Sequence, residues 1–202
     1  MPRIAGQIDL AKTEAILEAT SEAIYERGLN VSMDEIARRA GVSKQTVYNH
    51  YGSKSDLVRA LIDRRVELMT AALEVPGALN RPQEALADYA RALLETINMP
   101  RGVTLFRLII ASVTADPDLA QTVLKAGLRA SRLKLADFLA RETAAGRLAI
   151  DDVDEAADFF AGMVVSHRQI SGLLGLPSDL SPARIERLAT EAARRFMRAY
   201  RP

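Results

Sequence analysis

Ser32, Ser43 and Ser53 each stand directly before a short stretch of helical character, and this punctuation confines residues 32–57 to brief helices in tight succession. Ser32-Met33-Asp34-Glu35 has the form of a capping box, in which the serine oxygen accepts from the Glu35 amide and the glutamate reaches back to the serine amide. The helix that follows ends at Gly41, where a left-handed residue costs nothing for want of a Cβ. Ser43 caps a second short helix, which ends near Gly52. Ser53-Lys54-Ser55-Asp56 repeats the capping pattern and opens a longer helix, to about Glu74.

The rest of the chain is patterned in the same way, and strand signals are nearly absent. A first helix is expected over Leu10–Arg27, with Ile16, Ala19, Ala23 and Ile24 on one face and Gly28 at its end. Pro76-Gly77 breaks the pattern, Asn80 can cap a helix over Arg81–Asn98, and Pro100 stops it. Val103–Thr114 follows. Asp116-Pro117 then starts one long helix to Ala145, closed by Gly146. Asp152-x-x-Glu155 opens a helix to about Leu174, and Ser181-Pro182 opens the last, to about Tyr200. The spacing therefore predicts an all-α chain of about nine helices. A small N-terminal unit over residues 1–55 precedes a larger one over 56–202.

Residues 34–51 have the grammar of a helix-turn-helix. Ile36 and Ala37 face inward, Ala40 is small enough for close helix crossing, Gly41 permits the turn, Val42 plugs it and Ser43 caps the second helix. Such a unit projects the N-terminal side chains of its second helix into a major groove. Here those are Lys44, Gln45 and Thr46, with Tyr48 and Asn49 one turn on. Lysine donates to guanine O6 and N7, and glutamine or asparagine pairs with adenine. Net charge is only +1, but Arg38, Arg39, Lys44 and Lys54 lie between Glu35 and Asp56 with no acid among them. Charge alone leaves a DNA-facing patch and a solvated helical face both open.

The motif run is similar to the N-terminal pattern of the TetR family of regulators. The residues that carry the resemblance are Glu35-Ile36-Ala37, Ala40-Gly41-Val42-Ser43, Val47-Tyr48-Asn49-His50-Tyr51 and Ser53-Lys54-Ser55-Asp56-Leu57. Glu35 replaces the family's usual Asp, and Tyr51 its usual Phe. The resemblance is specific over Thr13–Ile62, and the Asp116-Pro117 start and final helices resemble the AefR-like branch. It implies that Lys44, Gln45, Thr46 and Asn49 face base edges. It also implies that Tyr48, His50 and Lys54 hold phosphate or steady the groove-facing helix, and that Ser32 meets a phosphate at a helix N-terminus. For His50, capping of a carbonyl stays open, and for Lys54, simple solvation.

A single recognition helix gives too little discrimination to select a site in a genome, at about 1–3 kcal/mol per good bidentate pair, so a symmetric dimer on a palindromic operator is expected. Two stripes offer an interface. Phe160, Met163, His167, Ile170 and Leu174 recur at spacings of three and four, as do Ile185, Leu188, Ala192 and Phe196. The pattern alone allows both stripes to face their own core; the resemblance implies a four-helix bundle between two protomers. Tyr89, Phe106, Arg107, Met163 and His167 are candidates for a mostly apolar effector pocket, each with an ordinary core or surface role as its alternative. An apolar small-molecule effector and double-stranded DNA are the expected partners, with no cofactor and no metal.

Other classes find little support. There is no cysteine, which removes disulfides and thiolate chemistry, and there are two histidines. No H-E-x-x-H, P-loop or G-x-S-x-G occurs. The longest uncharged run near the middle, Leu108–Ala115, is far too short to span a bilayer. Met1-Pro2-Arg3-Ile4 lacks an apolar signal core, so a cytoplasmic protein away from membranes is expected.

Overall fold

The computed structural model describes residues 10–75 and 81–202, all of them helix, turn or irregular chain. The expected break at Pro76-Gly77 and the expected cap Asn80 lie outside the described residues. Helix α1 spans Leu10–Arg27, α2 Met33–Arg39, α3 Lys44–His50 and α4 Lys54–Glu74. Helices α5 (Pro82–Asn98) and α6 (Pro100–Ser112) are separated by Met99 alone, so Pro100 starts α6 as much as it stops α5. The fold is all-α. Among the described residues no helix is long and apolar enough to cross a membrane.

One continuous core runs along α4, and its partners change from end to end. At the N-terminal half of α4, Leu57, Val58 and Leu61 meet Ile16 and Ile24 of α1, Ile36 of α2 and Val47 of α3 in one buried cluster. Further along, Val66, Met69 and Leu73 belong with Leu86 and Leu94 of α5 and with the C-terminal helices. With 21 residues at 1.5 Å each, α4 is about 30 Å long and reaches from one set of partners to the other.

The stretch expected as one helix from Pro117 is continuous but not uniform. It comprises α7 (Pro117–Leu124), a π-helical turn at Lys125–Arg129, and α8 (Ala130–Ala144). A π turn holds one extra residue and bulges the backbone. Here it brings Gly127 against α4, where a Cβ would stand 3.3 Å from Ile62 Cγ2.

A second departure is larger. The helix expected from Asp152 to Leu174 is broken into α9 (Val153–Val165) and α10 (Arg168–Leu173) at Ser166, whose φ is +50°. Only tertiary context holds a serine there, since positive φ costs of the order of 1–3 kcal/mol off glycine. The break lets α10 pack on α5 and α6. Arg107 of α6 donates to the Leu173 and Gly172 carbonyls at 2.9 and 2.6 Å, and the Leu176 amide donates to Ser171 at 3.0 Å. The α10 terminus is thereby satisfied.

Helix α11 (Pro182–Ala199) lies along α5. Its stripe is the floor of the chain's own core: Ile185, Ala192 and Phe196 are buried and Leu188 is half-buried. Phe160 of α9 is fully buried too, with its ring edge-on to Phe196 at 5.1 Å and 6.2 Å from Tyr89. Phe160, Ile185, Ala192 and Phe196 therefore pack inside the protomer. Met163, Ile170 and Leu174, from the same expected set, are exposed.

Candidate nucleic-acid interface and effector cavity

The head is built by its caps. Ser32 accepts from the Glu35 amide at 3.2 Å, Ser43 from Thr46 at 3.0 Å, and Ser53 from Asp56 at 3.1 Å, each at a helix N-cap worth about 1 kcal/mol. Gly41, at φ +65°, turns the chain between α2 and α3, and the Val42 amide returns to the Ala37 carbonyl at 3.1 Å. Fully buried Val47 pins α3 down by its inner face. The outer face is left to Lys44, Gln45, Tyr48, Asn49 and His50, all exposed, and to half-buried Thr46. These are the residues expected to meet DNA, and the fold brings them onto one surface.

Their present partners refine the picture. Gln45 Nε2 donates to Asn49 Oδ1 at 2.7 Å, one turn apart, leaving a Gln45 carbonyl and free amide hydrogens pointing outward. Thr46 Oγ1 is 2.8 Å from Ser43 Oγ, so its hydroxyl supports the cap. Lys44 Nζ is 2.8 Å from Asp34 Oδ1 and 5.7 Å from the Tyr48 ring centre. Both partners of the Lys44–Asp34 pair are largely exposed, so a phosphate can replace Asp34 at little cost.

The basic run is less bare than its sequence suggests. Glu35 does not reach back to close the capping box. Its carboxylate takes Arg38 at 2.7 Å and Arg39 at 2.8 Å, and these two bonds pull its pKa down to about 2. Arg39 also holds Glu26 of α1 at 2.7 Å. Lys54 is half-buried, and its ammonium donates to the Leu29 carbonyl. This bond ties the start of α4 to the chain leaving α1.

The second site lies behind the head. A partly open cavity of about 90 Å³ is lined by Ile62, Val66 and Met69 of α4, Leu93 of α5, Phe106 of α6 and Val123 of α7, with the π turn as a further wall. Of the expected pocket residues, Phe106 lines it. Tyr89 does not: it is buried beside the cavity, its hydroxyl 2.8 Å from Ser131 Oγ and 3.3 Å from Arg132 Nη1. Burial raises its pKa, against the opposing pull of Ser131 and Arg132. Arg107 caps α10 instead, Met163 is on the outer surface, and His167 faces a separate polar groove with Asn98 and Asp179. Sequence reasoning missed the α4 wall, because Val66 and Met69 read as ordinary core.

Comparison with known proteins now bears on both sites. A family model for "Bacterial regulatory proteins, tetR family" matches residues 16–61, and one for "AefR-like transcriptional repressor, C-terminal domain" matches residues 84–202. The chain belongs to the TetR family. It is a helix-turn-helix transcriptional regulator, a class that binds DNA and is not enzymatic.

Among solved TetR-like structures, the flavonoid-responsive regulator FrrA is 34% identical, with a TM-score of 0.69, 95% of this chain covered and 97% of that one. A regulator from Mesorhizobium loti MAFF303099 is 25% identical, with a TM-score of 0.77 and coverage of 96% and 98%. The repressor LfrR of Mycolicibacterium smegmatis is 32% identical over 110 residues, 51% of this chain and 57% of LfrR. The activator FasR of the same organism is 47% identical over 53 residues, 26% of this chain and 24% of FasR. The chain thus matches little more than half of one curated relative and a quarter of the other.

Proposed function

We propose that this TetR-family protein is a repressor that binds a palindromic operator as a homodimer in the cytoplasm and is released by a small, mostly apolar effector. The observation that carries the reading is the cavity, because its wall includes the middle of the helix whose first turns complete the head. At about 90 Å³ it is smaller than the ~150 Å³ hole that admits benzene in an engineered core. Any larger guest must push its walls apart, and α4 is one of them. Binding and displacement of the head are then linked, which is what effector control of DNA affinity requires. The likeness to FrrA, a flavonoid-responsive protein by its title, makes planar aromatic compounds the first class to try.

In this reading, residues 1–55 carry the DNA contacts. Gln45, Thr46 and Asn49 address base edges, while Lys44, Tyr48, His50 and the α2 start at Ser32 address phosphates. Residues 56–202 hold effector and partner. The dimer surface is the exposed apolar strip of α9 and α10, namely Phe159, Met163, Ile170 and Leu174, which are 57, 44, 59 and 73% exposed. Exposed Gly162 lies in the same strip with open space beside it, and a mid-helix glycine, which costs about 1 kcal/mol against alanine, suits a helix that a partner approaches closely.

Selection of bound sequences from a random duplex pool tests the proposal. The expected yield is a two-fold symmetric site, with a protein mass on it of two chains or a multiple of two. Repeating the selection with planar aromatic compounds that raise the melting temperature should deplete the bound fraction. An asymmetric single half-site, or stabilising compounds that leave DNA binding untouched, would overturn it.

A further inference from the structure

We propose that the effector carries a carboxylate, and that Arg65 of α4 receives it at the wall of the cavity. The inference rests on the cavity being the effector site. Two arginines line that cavity. Arg132 is already engaged, with Asp158 at 3.4 Å and the Tyr89 hydroxyl at 3.3 Å. Arg65 is different. It is half-buried, and among the described residues no carboxylate lies within 4 Å of it; its hydrogen-bond partner is the Ser21 hydroxyl of α1, at a marginal 3.5 Å.

Burial pulls the pKa of Arg65 down, neighbouring Arg101 adds to that, and Glu18 opposes it. Glu18, the acid whose charge reaches Arg65, is held by Arg101, which also takes Glu22. A guanidinium stays charged at any physiological pH, so Arg65 is a partly dehydrated cation with unused donors. Burying a charge without a partner is costly, and a carboxylate answers its planar fork with two parallel bonds.

The surroundings favour an anion further. Arg65 Nη1 sits against Gly102, where a Cβ would stand only 3.1 Å away. Gly102 lies in the first turn of α6, which has neither a side-chain cap nor an acidic residue there. The positive end of that helix therefore faces the same place. Arg65 lines both the apolar cavity and the groove between α1, α4 and α5. An acid whose body fills the cavity thus has its head at the border with the DNA-binding unit.

The test uses a matched pair of probes, 1-naphthaleneacetate and 1-naphthaleneacetamide, which share shape and differ in charge. Calorimetry on the full-length protein should show the acid binding at least tenfold more tightly than the amide. Arg65→Gln should erase that difference by weakening the acid at least tenfold more than the amide; Arg65→Lys should keep part of it. Leu93→Trp, which fills the cavity, should weaken both ligands. Equal binding of acid and amide to the unaltered protein, or a preference that survives Arg65→Gln, overturns the carboxylate assignment and leaves the cavity standing. Binding of neither probe, or binding indifferent to Leu93→Trp, overturns the cavity reading and this inference with it.

Discussion

At the scale of single residues, the positions on α3 that face solvent were legible because the turn fixes them. Once Gly41, Val42 and Ser43 set the start of the helix, Val47 must point in and Lys44, Gln45 and Asn49 must point out. Charge partners were not legible. Four cations without an intervening acid leave a bare patch and a solvated face equally open, yet acids from the first turn of α2 and from α1 meet three of them: Asp34 takes Lys44, Glu35 takes Arg38 and Arg39, and Glu26 takes Arg39. Lys44 and Lys54 therefore separate experimentally. Lys44→Ala should lower the salt dependence of operator binding by about one unit of slope per half-site, as for one lost phosphate contact. Lys54→Ala should leave the slope alone and lower the thermal midpoint, because it frees the Leu29 carbonyl at a cost of the order of 1 kcal/mol. Binding isotherms over a salt series, with melting curves of both variants, check this; a slope that falls for Lys54→Ala would return Lys54 to the DNA surface.

At the scale of elements, helix limits near caps came through well, since Ser32, Ser43, Ser53, Asp116, Asp152 and Ser181 all cap as expected. The π turn and the break at Ser166 did not, because both answer to packing between helices far apart in sequence and leave no local signature. The same limit governed the apolar stripes. A repeat of three and four residues says that a face is buried, not what buries it. For α11 the answer is α5 of the same chain, and for α9 adjacent phenylalanines divide: Phe160 is fully buried while Phe159 is 57% exposed. Their substitutions should part accordingly. Phe159→Glu should give folded monomers with undiminished helicity and little affinity for the operator. Phe160→Glu should fail to fold, since an unpaired charge in that core costs several kcal/mol against a total stability of about 5–15. Sedimentation and far-UV circular dichroism distinguish the two, and a Phe159→Glu protein that stays dimeric would move the interface off α9.

At the scale of the whole molecule, the order of head and larger helical unit was readable, but the joints between them were not. They connect residues far apart in sequence: Arg101 at the start of α6 clamps Glu18 and Glu22 of α1, 83 and 79 positions away, while Arg64 of α4 meets Glu14, 50 positions away, at 3.3 Å. These ion pairs are partly exposed, so each adds little to stability. Their consequence is geometric, because they join α1 to α4 and α6, both of which wall the cavity. A 100-fold loss of operator affinity on effector binding needs about 2.7 kcal/mol of coupling, within the usual allosteric range. Coupling is reciprocal, so a compound that raises the melting temperature of the free protein should bind the operator complex about 100-fold more weakly. Arg101→Ala should leave the compound's affinity for free protein intact and shrink that ratio, since α1 is no longer clamped to the start of α6. Calorimetry with and without operator, on both proteins, reads the ratio directly. A ratio unchanged by Arg101→Ala would mean that α4 alone transmits the displacement, and a ratio of one in the unaltered protein would mean that the cavity does not control DNA binding.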